Sequence, residues 1–247
     1  MDFVKTNDGT NTLYSSEFNE HYHSIKDGAL NESLNKHIIP AFKYLKQNNN
    51  NREINILDIC FGLGYNSLAT IYYLEDKLNT KINIYSPEFD LNLIKSLKNF
   101  EYPKEFEKYK DIIDNISDNL IASYKNFSIK VINRDAREFI NSCEVKFDII
   151  YQDAFSSSKN PTLWSYEYFK SLKLKENAIL TTYSIATPIR LALFNNNFYI
   201  YENLISSKKA TIASTFKLKN LNEVDMNLKL KRNPTAKMIF DKENYIV

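Results

Sequence analysis

The stretch Ile54-Asn55-Ile56-Leu57-Asp58-Ile59-Cys60-Phe61-Gly62-Leu63-Gly64-Tyr65-Asn66 constrains the fold more than any other part of the chain. An apolar run ends in a carboxylate, meets two glycines two residues apart, and gives way to helical periodicity. A buried strand that turns tightly into a helix needs small residues at the turn, so that backbone can approach a ligand closely. The chain has only four glycines, at positions 9, 28, 62 and 64. Two of the four at one turn mark a cofactor cradle.

Strands and helices alternate after this turn. A strand over 54–59 leads to a helix carrying Leu68, Ile71, Tyr72 and Leu78, then a second strand, Ile82-Asn83-Ile84-Tyr85. Residues 103–124 read as a charged helical insertion, 127–132 as a third strand and 147–151 as a fourth. A helix over 165–173, a strand over 178–183 and a helix from Pro188 follow, then strands near 198–204 and 210–216. This alternation predicts a mainly parallel sheet covered by helices on both faces. The last two strands have no helix between them and are expected to pair as an antiparallel edge. Ahead of the turn, residues 6–24 suggest a hairpin, with Asp8-Gly9 as its turn signal. Residues 29–47 read as a helix that Pro40 would kink or restart as a second turn, and 48–51 as a polar linker.

Composition bounds the class. At 247 residues, 43% hydrophobic and 25% charged, the chain fits one large domain with at most a small appendage. No internal repeat or second domain is evident. No run of 18 apolar residues and no charged-then-apolar leader occurs, so neither a membrane span nor a signal peptide is expected. Cys60 and Cys143 read as buried free thiols. Three histidines without a Cys/His cluster argue against structural zinc, and His21 and His23 read as surface or interface residues. From Ile205 onward, nine Lys/Arg stand against four Asp/Glu. That basic end suits either a phosphate-contacting face or a solvated tail.

In an open parallel sheet, ligands gather at the carboxyl ends of the strands. Asp58, Gly62, Gly64, Glu88, Asp135 and Asp153 all fall there. Glu88, 24 residues beyond Gly64, stands where a carboxylate accepts from two ribose hydroxyls at once, while Asp90 suits the following helix N-terminus. Asp135 is placed to cap a helix beginning near Ala136 or to accept from an adenine amine, and the two roles are compatible. Ser67 occupies the place of the third glycine of a dinucleotide fingerprint, and no Gly-Lys-Ser/Thr exists for a P-loop. The acids and the cradle together fit S-adenosylmethionine (SAM).

The segment Asp153-Ala154-Phe155, Lys159-Asn160-Pro161 and Trp164 resembles the Asp-Gly-Phe-x-x-x-Lys-Asn-Pro-x-x-Trp signature of the MnmC/MnmD family. These methyltransferases complete 5-methylaminomethyl-2-thiouridine at the tRNA wobble position. Asp8-Gly9-Thr10, Leu13-Tyr14-Ser15, Tyr22-His23-Ser24 and Gly28-Ala29 are similar to that family's opening, and Phe61-Gly62-Leu63-Gly64-Tyr65-Asn66 to its cofactor loop. The resemblance runs from about residue 6 to about 216. Cys60 and Ala154 stand where the family has glycine, and Cys60 is then expected to keep ordinary strand dihedrals. The chain lacks the flavin-dependent half of the bifunctional members, so the resemblance is to the stand-alone form, without FAD and without metal.

The resemblance implies a class I SAM-dependent methyltransferase, Rossmann-like fold. Its sheet would be seven-stranded and mainly parallel with one antiparallel edge strand, extended by an N-terminal hairpin and helix. Residues 1–50 would form that extension, 51–220 the methyltransferase domain and 221–247 a basic C-terminal extension. Asp153 is the expected catalytic residue. Tyr14, Asp58, Gly62, Gly64, Asn66, Glu88, Asp135 and Ala136 are expected to hold the cofactor. Phe155, Lys159, Asn160, Trp164, Lys208 and Lys209 are expected to meet the substrate, with Phe155 and Trp164 stacking on an extruded base. The implied partner is the tRNA anticodon stem-loop and the setting cytoplasmic; a monomer is favoured. Two other readings stay open: an aminopropyltransferase that uses decarboxylated SAM, and a non-catalytic SAM- or RNA-binding module.

Overall fold

The computed structural model describes residues 3–45, 53–205 and 208–241; the polar linker read at 48–51 lies outside them. Two short antiparallel hairpins open the chain where one was expected. β1 (Val4–Lys5) pairs with β2 (Asn11–Thr12), and β3 (Tyr14–Ser15) with β4 (Glu20–His21). The helix that follows has three parts: α1 (Ala29–Glu32), a π-helical turn (Ser33–Ile38) and α2 (Ile39–Tyr44). Pro40 explains the middle part. It lacks an N–H and its ring crowds the carbonyl four residues back, so the turn before it widens. The Ile39 N–H bonds accordingly to the Leu34 carbonyl, five residues away.

The remaining elements are β5 (Glu53–Ile59), α3 (Tyr65–Leu74), β6 (Lys81–Glu88), α4 (Leu91–Ser96), α5 (Lys110–Asn119), β7 (Ile121–Tyr124) and β8 (Phe127–Asn133). After them come α6 (Ala136–Ser142), β9 (Phe147–Gln152), α7 (Tyr166–Ser171), β10 (Leu174–Thr182), α8 (Thr187–Asn195), β11 (Tyr199–Asn203), β12 (Ala210–Ser214) and α9 (Met226–Arg232). One sheet holds eight strands in the order β11-β12-β10-β9-β5-β6-β8-β7. The five central strands run parallel. β12 lies antiparallel between β10 and β11, as the missing helix requires.

The eighth strand corrects the expected count of seven. β7 occupies the end of the stretch read as helical and pairs antiparallel with β8. Leu120 ends α5 in the left-handed region at φ 62°, and Lys125 turns the hairpin at φ 49°. Neither position carries the glycine or Asn-Gly signal that announces such turns, so the sequence hides them.

Strand residues alternate between two cores. Ile54, Ile56, Ile82, Ile84 and Ile129 face one layer with α3 and α5, whereas Leu57, Ile59, Ile150 and Leu180 face the other with α6, α7 and α8. β5 pairs with β6 on one side and β9 on the other, so the direction of winding reverses at its carboxyl end. A crevice opens at such a point.

Candidate active site

That crevice is a cavity of about 770 Å³, inside the range of roughly 300–1,000 Å³ typical of small-molecule sites. Its floor comes from the loop after β5, the tip of β6 and the segment after β9; its roof is the β3–β4 hairpin with α1 and the π turn. Glu17, Glu20, Asp27, Glu32, Glu88, Asp90 and Asp153 line it, against Lys36, Lys208 and Lys209. The lining therefore favours a cationic ligand.

The loop after β5 is left-handed at alternate positions: Cys60 at φ 66°, Gly62 at φ 53° and Gly64 at φ 74°. Cys60 does not have the strand dihedrals expected of it. A non-glycine residue there costs roughly 1–2 kcal/mol, which the surrounding fold bears. A Cβ at Gly62 would lie 3.2 Å from the Tyr22 ring, and one at Gly64 2.8 Å from Phe61. Both cysteines are free and half-buried rather than fully buried. Burial, then the charge of Glu88, pushes the Cys60 thiol well above its usual range, so it is a poor nucleophile.

Glu88 accepts the Gly62 N–H at 2.9 Å and the Asp90 N–H at 3.0 Å. Burial raises its carboxyl in spite of those bonds. Asp90 caps α4 through the Leu93 N–H, as anticipated. Asp153, just past β9, is held on two sides. Asn66 Nδ2 donates to its Oδ2 at 2.9 Å, and His37 Nε2 lies 3.3 Å from its Oδ1 without forming an aligned hydrogen bond. Burial opposes ionisation of Asp153, but the charge and hydrogen-bonding capacity of His37 outweigh it, with His23 and Asn66 adding to the effect. The carboxyl is held well below the ordinary range. Asn66 Nδ2 also reaches Asp58 Oδ1 at 3.3 Å, and Ser67 Oγ donates to Asp58 Oδ2 at 2.8 Å. Burial, and then the charge of Asp153, pushes Asp58 up to about 7 despite these donors.

The profile of a family described as S-adenosyl-L-methionine-dependent methyltransferase matches residues 103–217. An uncharacterized protein of Methanocaldococcus jannaschii is 31% identical over 230 residues, which cover 90% of this chain and 62% of that protein. The tRNA 5-methylaminomethyl-2-thiouridine biosynthesis bifunctional protein MnmC of Leptospira interrogans is 30% identical over 76% of this chain and 31% of its own length. The chain thus spans under two thirds of the first relative and about a third of the second. The crystal structure of MNMC2 from Aquifex aeolicus superposes with a TM-score of 0.82 at 29% identity, covering 97% of this chain and 78% of that one. A probable spermidine synthase from Corynebacterium glutamicum shares the fold at 12% identity and a TM-score of 0.57.

Most of the chain is similar to the SAM-dependent methyltransferases of the MnmC type.

The cavity suits SAM. SAM carries a sulfonium and an ammonium against one carboxylate, which matches the acidic lining. Asn66 Oδ1 is buried in the cavity wall without a partner among the described residues, an acceptor left open for a ligand N–H. Gly62 brings backbone to the wall where a side chain would crowd Tyr22.

Of the residues expected to hold the cofactor, Tyr14, Gly62, Asn66 and Glu88 line the cavity. Asp58, Gly64, Asp135 and Ala136 do not. Asp58 acts one layer behind, on Asn66 and Ser67. Asp135 caps α6 through the Arg137 and Glu138 N–H groups, the capping alternative read from its position, with Ala136 buried behind it. Of the expected substrate residues, Phe155, Asn160, Lys208 and Lys209 line the cavity, whereas Lys159 is exposed outside it. Lys208 pairs with Asp27 at 2.5 Å and Lys209 with Glu202 at 2.9 Å.

Trp164 is a correction. It is 0% exposed, and its indole N–H donates to the Phe155 carbonyl at 2.8 Å, so it anchors the loop and offers no ring to a base. Phe155 stacks instead on Phe18, 4.4 Å away and 17° from parallel.

Sequence reading missed the roof. Glu32 and Lys36 pair at 2.6 Å, and Lys36 reaches Asp27 at 2.8 Å. His23, expected at the surface or an interface, is buried in the cavity wall 3.8 Å from Glu32. His37 is completely buried, with Nδ1 3.2 Å from Thr181 Oγ1. Their helical spacing reads as core packing, and only Pro40 hints at the π turn that aims His37 at Asp153.

Proposed function

We propose that this protein N-methylates the aminomethyl group of 5-aminomethyl-2-thiouridine at the tRNA wobble position, giving 5-methylaminomethyl-2-thiouridine. The observation that carries the reading is Asp153, ionised and fixed by Asn66 and His37, in the wall of an acidic cavity on an MnmC-type scaffold. When bound, SAM supplies a methyl group made electrophilic by the sulfonium. Glu88 would hold the ribose hydroxyls, and Gly62 and Asn66 Oδ1 the rest of the donor. Asp153 attracts and orients the acceptor amine, and its charge stabilises the positive charge that develops on nitrogen. The wall formed by Phe18 and Phe155 gives the acceptor base an apolar flank, and Lys208 and Lys209 face its phosphates once released from their carboxylates. In this reading the chain works on tRNA in the cytoplasm, with residues 1–50 as roof, 51–220 as catalytic body and 221–247 as a basic extension.

The test is methyl transfer from labelled SAM to tRNA carrying 5-aminomethyl-2-thiouridine. A protein that binds SAM yet transfers nothing to that tRNA refutes the proposal. The acidic lining would also admit a polyamine, so decarboxylated SAM with putrescine is the control; turnover there and not with tRNA favours an aminopropyltransferase.

A further inference from the structure

An alkylamine is an ammonium at neutral pH, with a pKa of roughly 10. It must lose a proton before its lone pair can attack, and an adjacent carboxylate favours the protonated form. Asp153 is itself a poor place to keep that proton, because an imidazolium at His37 is the strongest influence holding its carboxyl down, so of the two groups the ring keeps the proton. The proton needs a further acceptor within reach.

His37 provides one. Its Nδ1 lies 3.2 Å from Thr181 Oγ1 and its Nε2 3.3 Å from Asp153 Oδ1, yet Nε2 has no aligned hydrogen-bond partner among the described residues. A ring with its proton on Nδ1, donated to Thr181, leaves the Nε2 lone pair facing a carboxylate oxygen. Two acceptors face each other across a gap with room for a proton. We propose that His37 holds the proton the acceptor amine gives up, receiving it from Asp153 across the Nε2 to Oδ1 gap.

The balance is simple. An ammonium N–H breaks and its proton moves through Asp153 to Nε2, leaving a neutral amine and an imidazolium beside an ionised Asp153. The amine nitrogen then bonds to the methyl carbon as the carbon–sulfur bond breaks and its electron pair stays on the departing thioether. The nitrogen becomes a secondary ammonium, and the net yield is one proton, which passes from the buried His37 back through Asp153 to solvent. His37 acts through Asp153 and does not touch the acceptor. Its charged and titratable surroundings are Asp153 and Tyr151 from β9 and its tip, and Asp58 from β5. Asp153 in turn feels His23 from the roof, and its charge reaches Glu32 of α1 and Tyr183 beyond β10.

This inference rests on the proposed amine acceptor, so its test has two arms. In the first, ¹⁵N NMR of the histidine-labelled protein at alkaline pH needs no acceptor. The expected signature is a neutral His37 ring protonated at Nδ1 and bare at Nε2; a ring protonated at Nε2 leaves no gap and overturns the proposal whatever the substrate. In the second, kcat/KM with the modified tRNA is followed against pH. His37→Gln keeps a donor toward Asp153 and His37→Asn keeps one toward Thr181, but neither accepts a proton. Each is expected to lose ~10²-fold at pH 7 and to recover about tenfold per pH unit toward pH 10, as free amine becomes available. An equal loss at every pH marks a structural role and overturns the proposal. Absence of transfer by the unsubstituted protein overturns the tRNA reading instead, and the NMR arm still decides the state of His37.

Discussion

Asp58→Asn offers the sharpest physical test of the buried carboxylate pair. In the native protein Asp58 keeps its proton up to about pH 7, whereas in an unfolded chain a carboxyl of this type gives it up near pH 3.9. Between those values the native state binds more protons than the unfolded one, so the contribution of Asp58 to stability falls as pH rises. About three units at roughly 1.4 kcal/mol each amount to about 4 kcal/mol. Asparagine has the same shape and spares that cost. Its Oδ1 still accepts from Asn66 Nδ2, and the Ser67 hydroxyl, which now donates at 2.8 Å, turns to accept. The assay is urea unfolding of both proteins from pH 4 to 8.5, read as their difference so that titrating groups remote from Asp58 cancel. The two are expected to be equally stable near pH 4, with the variant gaining steadily to as much as about 4 kcal/mol above pH 7. A flat difference, or a native protein that gains on the variant as pH rises, refutes the reasoning.

Asp153→Asn is expected to cut methyl transfer by ~10²-fold or more at unchanged SAM affinity, measured by turnover and by calorimetric titration; an unaltered rate removes Asp153 from the chemistry. Trp164→Ala is expected to cost about 3–5 kcal/mol of stability, because the side chain is fully buried and its N–H bond is lost. A drop in acceptor affinity with no change in melting would instead make Trp164 a stacking residue. Glu20 accepts both the Ser156 N–H, at 2.9 Å, and the Ser156 hydroxyl, tying the β3–β4 hairpin to the loop after β9. Its removal in Glu20→Ala frees about 1–2 kcal/mol of loop ordering, so KM for the acceptor rises about 5–30-fold while SAM binding holds. Steady-state kinetics with each substrate varied in turn separates the two effects.

The sheet was legible because its strands are apolar runs bounded by acids, and the order of those acids marks one rim. Glu88, Gly62 and Asp153 could be placed on that rim from strand ends, and Asn66 from the resemblance of the cofactor loop. The roof could not. Glu32, Lys36 and His37 owe their positions to a π turn, whose only trace in the sequence is a proline, and their spacing is that of an ordinary packed helix face. Trp164 was misjudged because a motif gives a residue's neighbours in sequence, whereas burial depends on what α7 and β10 bring against it. β7 stayed hidden because Leu120 and Lys125 adopt left-handed turns that residues of their type seldom take.

The π turn makes chain length part of the chemistry. Each residue of an α-helix advances the side chains by about 100°, and a π turn differs from an α turn by a single residue. Deleting one residue from 33–36 would let the helix run straight into Pro40 and swing either the Glu32 face or His37 by about a quarter of a turn. No substitution would be needed to take the site apart. Among related sequences that keep the residues of the sheet rim, the count between Gly28 and Pro40 therefore separates chains that can set an imidazole beside Asp153 from chains that cannot.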